Sequence, residues 1–448
     1  MTQTTPQRPA WGRTLVPGFL LAALLAMSLL LAASKPVQAD TTFTVTSFGD
    51  TGDGVCGRAC TLREAITAAN NTPGRDAIHF GLTGITGGAY AIFPTSELPH
   101  ITEAVTIDGY TQRDAFPNTQ DKGTNAQLMV ELHGSNAGSV ADGLDIRADA
   151  VTVRGLAIGS FAGQGVRIEG DGAKIEGNFI GTDSRGAELE FLDFGNGGSG
   201  VRVSGSENTV IGGASALQRN LISDNGQAGV NLQSTGTSTR VQGNLVGTER
   251  DGTGPLGNDQ AGVVVANAER ALIGGTRPGE ANTVAFNGDD GVAVQASAGN
   301  LDATGNRISG NSIFSNGELG IDLVGGTENA TGATANDPKD PDAGPNDLQN
   351  RPVITSATTS GSTTTIKASL NSTSSDAFLI EFFSDPSGNE GKKFIGDRAV
   401  STNTNGNVAF SFVPSQSVGA GRRITATATN VVEANTSEFS APKAVVAQ

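Results

Sequence analysis

A ten-residue segment occurs twice in this chain, and its return constrains the fold more than any other feature. "GNFIGTDSRG" occupies residues 177–186 and "GNLVGTERDG" occupies residues 243–252, 66 positions later. Two unrelated loops have no reason to share a frame of Gly-Asn, two apolar residues, Gly-Thr and a final Gly. Duplicated structure explains the frame, because internal self-similarity of this kind is typical of repeat architectures.

A tetrapeptide that begins with Gly extends the repeat in both directions. Its copies are GLDI at 143, GVRI at 165, GVRV at 200, GVNL at 229, GVVV at 262, GVAV at 291 and GIDL at 320. The second and fourth positions are aliphatic, which predicts short strands with one buried face. Gly and Asn separate the strands and tolerate the left-handed backbone of sharp corners. No segment of the repeat has the 3.6-residue period of a helix.

These features predict a parallel β-helix over residues 100–335, with about three strands in each coil. Coils would stack about 4.8 Å apart, the ordinary spacing of paired strands. The aliphatic positions would form interior columns, and corner asparagines would form hydrogen-bonded ladders. The predicted ladder residues are Asn178, Asn220, Asn244, Asn282 and Asn306. The outward position of the tetrapeptide is occupied in turn by Asp145, Arg167, Arg202, Asn231, Val264, Ala293 and Asp322.

Residues 40–99 precede the repeat and contain one clear helix, in the segment "CTLREAITAANNTPG" that starts at Cys60. Thr61 and Glu64 have the spacing of a capping box, and one face of the helix is apolar. We expect this block to cover the first open end of the β-helix. Cys56 and Cys60 are expected to form a disulfide in an exported protein. The alternative, a metal site, has no second Cys pair or nearby His to complete it.

Two sets of motifs resemble known families. "CTLREAITAAN" resembles the bacterial N-terminal domain named for its Cys-Ser-Leu-Arg-Glu-Ala motif, with Thr61 in the Ser position. The "GNxIGTDxxG", "NxVIGG" and "GVxI" elements are similar to right-handed parallel β-helix repeats of the pectin-lyase-like superfamily. The resemblance covers roughly residues 41–350 and implies a secreted bacterial β-helical protein. It implies no single activity, because this fold carries lyases, hydrolases and adhesins.

The chain after the repeat divides into two further parts. Residues 336–350 are rich in Pro and Asp and predict a linker. Residues 351–448 contain alternating strands and an Asn-Gly hairpin signal, which predict an immunoglobulin-like β-sandwich. The linker offers oxygen ligands of the kind that calcium prefers, at Asn336, Asp337, Asp340, Asp342 and Asp347. It lacks a complete EF-hand loop, so a solvated acidic linker remains the alternative.

Residues 1–39 have the layout of a secretory signal peptide. Basic residues come first, then an apolar run, then a small-residue cleavage site before Asp40. An uncleaved membrane anchor is the alternative, and no later stretch is apolar enough to span a bilayer. Cleavage would leave 26 basic side chains against 45 acidic ones, a net charge of −19. Such a surface disfavours nucleic acid as a partner and favours cations.

One pair of carboxylates suggests catalysis. Asp289 and Asp290 replace Gln227 and Ala228 of the coil 62 residues earlier, so the repeat does not require them. Paired carboxylates can hydrolyse a glycosidic bond. A family of β-helix hydrolases uses neighbouring aspartates, but its companion motifs (Asn-Thr-Asp, Gly-His-Gly and Arg-Ile-Lys) are missing from this sequence. A solvated turn is the favoured explanation of the pair.

The all-β sequence therefore supports two functional hypotheses. The first is a secreted or cell-surface, adhesin-like protein that binds an extracellular polysaccharide or has a structural role. The second is a polysaccharide lyase or glycoside hydrolase that uses Asp289 and Asp290. The first is favoured, because the fold signal is strong and no complete catalytic set accompanies it.

Overall fold

The computed structural model describes residues 1–2, 40–50, 52, 54–85, 88–187, 194–297, 303–329 and 332–448. The predicted signal peptide, residues 1–39, lies outside the described residues except for its first two. Residues Asp40–Gln448 form one unit. Its one α-helix in the described ranges is α1, Leu62–Asn70. Short 3₁₀ turns occur at Gly109–Thr111, Gly134–Asn136, Ala216–Gln218 and Pro345–Leu348.

Three parallel sheets run side by side through residues 42–324, and strands are numbered along the chain. Sheet A contains β1 (Thr42–Val45), β2 (Asp76–Phe80), β4 (Val105–Asp108), β7 (Thr152–Arg154), β10 (Lys174–Glu176), β13 (Val210–Gly212), β16 (Arg240–Gln242), β19 (Leu272–Gly274) and β22 (Arg307–Ser309). Sheet B contains β3 (Tyr90–Ile92), β5 (Val130–His133), β8 (Ala157–Gly159), β11 (Phe179–Ile180), β14 (Leu221–Ile222), β17 (Leu245–Val246), β20 (Thr283–Ala285) and β23 (Ser312–Phe314). Sheet C contains β6 (Leu144–Ile146), β9 (Val166–Ile168), β12 (Val201–Ser204), β15 (Val230–Gln233), β18 (Val263–Ala266), β21 (Val292–Gln295) and β24 (Ile321–Val324).

Each coil places one strand in each sheet, so β10, β11 and β12 form one coil and β13, β14 and β15 the next. This arrangement confirms the predicted parallel β-helix. The aliphatic positions of the tetrapeptide point inward: Val166, Val201 and Val230 pair in register and are fully buried. Burying a side chain of this size contributes roughly 1.5–3 kcal/mol, and the columns repeat that contribution in every coil.

The repeated decapeptides are the same corner in two coils. Their glycines occupy equivalent positions and all have positive φ: 66° and 68° at Gly177 and Gly243, and 92° and 82° at Gly181 and Gly247. A side chain at Gly181 would also meet the carbonyl oxygen of Ser223, with its Cβ only 2.0 Å away. The frame recurs because the backbone conformation and the stacking distance both require Gly at these corners.

Corner asparagines form the predicted ladder, with one correction. Side-chain amides donate to the next coil from Asn178 to Asn220, Asn244 and Asn282, over 2.9–3.3 Å. The next member is Asn311, which accepts from Asn282 at 2.9 Å, and not the predicted Asn306. Asn306 accepts a hydrogen bond from the backbone N–H of Ala271 and contacts Asn346 instead. Its position, ahead of β22 rather than after it, places it at a different corner.

A second asparagine ladder lies between sheets B and C and was not predicted. Its members are Asn196, Asn225, Asn258, Asn287 and Asn316, and each donates to the next over 2.8–2.9 Å. Four of the five precede a Gly, so the sequence signal was an Asn-Gly dipeptide that ordinarily indicates a turn. In the coils from β10 to β24, two of the three corners are therefore held by asparagine amides.

The N-terminal block packs helix α1 on the first strands of sheet A. The predicted capping box is confirmed: the Thr61 side chain accepts from the Glu64 backbone, and Glu64 accepts from the Thr61 backbone. The apolar face of α1, including Leu62 and Ile66, is buried in the same core as β1 and β2. Cys56 and Cys60 form a disulfide. The helix thus shields the interior beside the terminal strand of sheet A.

A two-sheet antiparallel sandwich follows the β-helix. One sheet contains β25 (Val353–Ser360), β26 (Thr363–Asn371), β29 (Asn407–Phe412) and β32 (Val446–Ala447). The other contains β27 (Ala377–Asp385), β28 (Lys393–Ser401), β30 (Arg423–Asn430) and β31 (Lys443–Ala444). Its strands pair antiparallel, except that β32 lies parallel to β25. The inward residues of this sandwich, such as Phe378, Ile380 and Phe382, form a second core. These sheets are compatible with the predicted immunoglobulin-like module.

The sandwich closes the last coil of the β-helix by hydrogen bonding. Glu381 accepts from the Gly310 backbone at 2.8 Å, beyond the end of β22. The Gly391 carbonyl accepts from Ile313 in β23 at 3.0 Å. Glu438 accepts from Leu323 in β24 at 3.3 Å. Each of the three sheets therefore ends on a partner from the sandwich, which satisfies N–H groups that the missing next coil would have paired.

We predict that Asn244→Ala lowers the free energy of unfolding by about 2–3 kcal/mol. Asn244 donates to Ile211 and Asn282 and accepts from Asn220, so its removal leaves buried partners unsatisfied. Gln295→Ala is the matched control, because this amide lies exposed at the end of β21 and should change stability by less than about 0.5 kcal/mol. Urea unfolding followed by circular dichroism measures both. Equal losses in the two variants would contradict a stabilising role for the ladder.

Candidate functional site

The outward positions of the tetrapeptide form one continuous column on sheet C, as the sequence predicts. Register pairs Asp145 with Arg167, Arg167 with Arg202, and Arg202 with Asn231. The column then continues through Val264 and Ala293 to Asp322. The outer face of sheet C is therefore polar over β6, β9, β12 and β15, apolar over β18 and β21, and acidic at β24. We call the first part the polar strip, defined by Asp145, Arg167, Arg202 and Asn231.

A buried carboxylate lies at the first end of the polar strip. The Asp145 side chain is only 2% exposed, and its Oδ2 lies 2.8 Å from Nδ1 of His100. The Arg147 guanidinium also contacts this oxygen, at 2.9 Å. His100 and Arg147 remain about two-fifths exposed, so the carboxylate holds two cationic or protonatable heads at the surface.

The ion-pair network extends from Arg147 along the neighbouring coils. Arg147 lies 4.0 Å from Glu169, and Glu169 also pairs with Arg167. Arg167 lies 4.0 Å from Asp142, whose pKa is raised by burial. Charges of alternating sign therefore run across the face, and they fix the directions of the arginine heads that project from it.

Two polar atoms of the strip have no partner in the described ranges. They are Nε of Arg202 and Oδ1 of Asn231, and both are enclosed by their surroundings. The terminal nitrogen of Arg202 donates to Gln233 in the next coil. A donor and an acceptor that lack partners lie on adjacent positions of the column.

Glu97, His100 and Asp145 also have the arrangement of a metal site, since one ligand atom from each lies within 4.8 Å of the others. The same Asp145 oxygen is already shared with Arg147, however, and a metal ion would lie beside that guanidinium. The geometry suits an ion pair better than a metal. This cluster could not be predicted from the sequence, because His100 and Asp145 are 45 residues apart and a bridge between Ile101 and Ile146 brings them together.

The two candidate catalytic aspartates lie near the opposite end of sheet C. Asp289 is exposed, whereas Asp290 is partly buried and accepts from the Leu319 backbone at 2.9 Å. The pKa of Asp290 is raised by burial and by the charges of Asp289 and Glu318. Asp322 joins them: burial and the neighbouring Asp290 raise its pKa to about 7. The sequence placed Asp322 in the outward column but did not indicate its proximity to Asp290.

Three of the five predicted calcium ligands come together. Asp337, Asp340 and Asp342 each offer an oxygen within 4.8 Å of the others. Burial raises the pKa of Asp340 to about 7, although it accepts hydrogen bonds from Asn350 and Ser372. The pKa of Asp342 is raised by burial and by Asp337. Three carboxylates in mutual repulsion can hold a cation with oxygen preference.

The other two predicted ligands lie elsewhere. Asn336 exchanges side-chain hydrogen bonds with the backbone of Arg351, at 2.8 and 3.0 Å. Asp347 accepts from the Asn435 side chain of the sandwich at 2.7 Å. Both residues are used to fold the connection between the β-helix and the sandwich. The alternation of acids in the sequence could not separate this role from ligation.

We predict that thermal stability rises as the pH falls from 8 to 5.5. Asp322 and Asp340 have folded pKa values of about 7, above the ordinary value of 3.8. Their contribution to stability is fully present below the unfolded pKa and is lost as the pH rises through about 7. Asp322→Asn should raise the melting temperature at pH 8 by about 2 °C or more and flatten its pH dependence. Asp259→Asn, an exposed control, should follow the parent protein in a calorimetric pH series. Parallel curves for the parent and Asp322→Asn would contradict the prediction.

Comparison with known proteins bears on the fold rather than on the chemistry. A family model described as "Right handed beta helix region" matches residues 142–334. No curated protein matches the chain. Within the described ranges, no helix is long and apolar enough to cross a membrane. The matched segment begins just before β6 and ends beyond β24, so the family model covers the coils whose strands form sheet C. The chain therefore contains a right-handed β-helix region.

Proposed function

We propose that this is an exported or cell-surface β-helical protein that binds an extracellular polysaccharide along the polar strip of sheet C. The observation that carries the proposal is the strip itself: Arg167 and Arg202 lie at paired outward positions of adjacent coils, and carboxylates of the same face hold the Arg167 head. An adhesin-like or structural role is consistent with such binding.

The chemistry of the strip suits a hydroxyl-rich chain. Parallel strands present equivalent side chains about 4.8 Å apart, so the column offers donors and acceptors at a regular spacing. Arg167 of the strip and the neighbouring Arg147 are paired with carboxylates, which leaves a surface that can donate and accept hydrogen bonds without a large net charge. An extended polymer could bind along the column by contacting several coils at once.

The proposed location rests on the sequence and the disulfide. Residues 1–39 have the layout of a secretory signal, and Cys56 is joined to Cys60. Disulfides persist in oxidising compartments outside the cytosol. The proposal includes a bacterial source, which the resemblance of the N-terminal motif to a bacterial domain supports.

A second candidate function is a polysaccharide lyase or glycoside hydrolase centred on Asp289 and Asp290. Its supporting observation is the pKa of about 7 at Asp322, which keeps a proton available near neutral pH beside Asp290. A carboxyl group that retains its proton can act as general acid, and a neighbouring carboxylate can act as base or nucleophile. Binding at the polar strip and catalysis at this end of sheet C would be separate sites.

The proposal also includes a calcium ion at Asp337, Asp340 and Asp342. Calcium takes six to eight oxygen ligands, which the three carboxylates could begin to supply. The ion would neutralise carboxylates whose pKa values are raised by burial and by each other. Its place in the connection between the β-helix and the sandwich suggests a stabilising role.

We predict that the purified protein retains at least one polymer from a panel of neutral and acidic polysaccharides. The Arg167→Ala/Arg202→Ala variant should bind that polymer about tenfold more weakly, because it loses charged hydrogen bonds from adjacent coils. Affinity electrophoresis measures retention directly. Arg240→Ala is the control, because this arginine is exposed on β16 of sheet A.

The same panel is assayed for new reducing ends and unsaturated products. No binding in a folded protein would contradict the proposal. Product formation that disappears in Asp290→Asn, with the fold intact, would instead establish the second candidate function.

We predict a calcium dissociation constant on the order of 10⁻⁴ M, in the range of extracellular modules. Asp342→Asn should weaken binding, because it removes one of the three clustered carboxylates. Asp347→Asn should leave calcium binding unchanged, because that carboxylate contacts Asn435 instead. Isothermal titration of calcium-free protein with CaCl₂ measures all three. Absence of heat, or equal losses in both variants, would contradict the site.

A further inference from the structure

A groove of about 540 Å³ opens on the side of the sandwich, away from any residue used above. One wall is the start of β28, with Lys393 and Phe394. The other wall is the segment 415–422 ahead of β30, with Gln416 and Arg422. A groove of this size is in the range of small-molecule sites.

A β-bulge shapes the first wall. Phe382 pairs with Gly396 and Phe383 with Phe394, so Ile395 is the extra residue of β28. Gly396 has a φ of 130°, and a Cβ there would lie 2.7 Å from the Phe412 ring. Bulges re-aim the side chains of an edge strand, and this one turns the strand at the point where it borders the groove.

The groove contains two cations without acidic partners. Lys393 and Arg422 are both exposed, and within the described ranges neither lies within 4 Å of a carboxylate as an ion pair. The Lys393 ammonium donates to the neutral Gln416 side chain, at 3.4 Å. The whole chain has a net charge of −16, so a pair of cations without acidic partners makes this groove locally positive on an acidic protein. Such a pair attracts an anionic group.

The remaining lining is mixed. Ser384, Ser415 and Ser417 supply hydroxyl groups, while Phe394, Ile395 and Val418 supply an apolar surface. The Phe394 ring packs edge-on against Phe383, at 5.7 Å between centroids, which fixes its orientation. A ligand that matches this lining carries one anionic group, several hydroxyls and an apolar ring face.

We propose that this groove binds an acidic sugar, with the sugar carboxylate between Lys393 and Arg422. The carboxylate would accept charged hydrogen bonds from both cations, and the serine hydroxyls would contact the sugar hydroxyls. The proposal takes its ligand class from the proposed polysaccharide function and adds a second, independent site on the sandwich. It would allow the sandwich to hold an acidic chain end while sheet C holds the polymer.

The test titrates the whole protein with sodium glucuronate, followed by calorimetry and saturation-transfer NMR. Glucuronate should bind, while glucose, which lacks the carboxylate, and acetate, which lacks the hydroxyls, should each bind at least about tenfold more weakly. Higher salt should weaken glucuronate binding, because the cations are exposed. Equal binding of acetate and glucuronate would overturn the proposal, as would no binding of glucuronate.

Variants separate this site from the polar strip. Lys393→Ala/Arg422→Ala should reduce glucuronate affinity about tenfold or more, whereas Lys367→Ala/Arg398→Ala makes the same charge change on other exposed positions and should not. Gly419→Leu keeps the charge and fills the groove, since a Cβ at Gly419 meets nothing within 4 Å, and it should also abolish binding. Arg167→Ala/Arg202→Ala should retain glucuronate binding even if it loses the polymer. Glucuronate binding that persists in both Lys393→Ala/Arg422→Ala and Gly419→Leu would overturn the proposed groove site. That result would leave the proposal for the polar strip unaffected.

Discussion

The structure depends on one constraint: a coil of parallel strands can satisfy its backbone only through the coils on either side. Inside the β-helix this condition is met because each strand of sheets A, B and C pairs with the equivalent strand in the next coil. At the last coil it fails, and three strand edges would present unpaired N–H groups. The sandwich supplies those partners through Glu381, Gly391 and Glu438. Phe383 and Phe439 of the sandwich join the β-helix core at the same place. The sandwich therefore terminates the repeat physically, and its removal would expose both an edge and the end of the core.

The corners impose the second condition, and they explain why the sequence repeats as it does. A coil that turns within two or three residues buries peptide groups that no strand can pair. Asn244 shows the solution, because its amide donates to the Ile211 carbonyl and to the next asparagine while accepting from the previous one. Each ladder residue thus satisfies its own corner and its neighbour's. Glycine at Gly181 and Gly247 supplies the positive φ that brings the chain around. The repeated decapeptide keeps the asparagine that the ladder needs and the glycines that the positive φ needs. Most of its other positions are not restricted in this way, so they vary between the two copies.

The periodicity of the sequence made the strands and their two faces predictable. Contacts between segments that are distant in the sequence could not be predicted in this way. Alternation within each tetrapeptide fixed the inward and outward columns, since side chains alternate strictly along a strand. The capping box of α1 was equally local. Asn306 was misassigned because insertions shift the spacing, and only the observed register identifies Asn311 as the ladder member. In the sandwich, Phe378 and Ile380 of β27 face the interior between the two sheets, and Glu381 points to the opposite face. Glu381 is nevertheless buried, because its face of the sheet covers the last coil. Sequence pattern gives the two faces of a strand, but not which of them another segment covers.

The outer face of sheet C is divided into regions with different chemistry. Near β24, burial and the charges of Asp290 and Glu438 raise the pKa of Asp322, so this end of the face favours protons or cations. Near β6, every acid of the network has a basic partner. Val264 and Ala293 separate the two regions with small apolar side chains. Because the inward columns carry the stability, the outward column is free to differ from coil to coil. The position of a ligand site on such a fold therefore depends on which adjacent coils carry polar residues at the outward position. In this chain, those adjacent coils lie at the N-terminal end of sheet C.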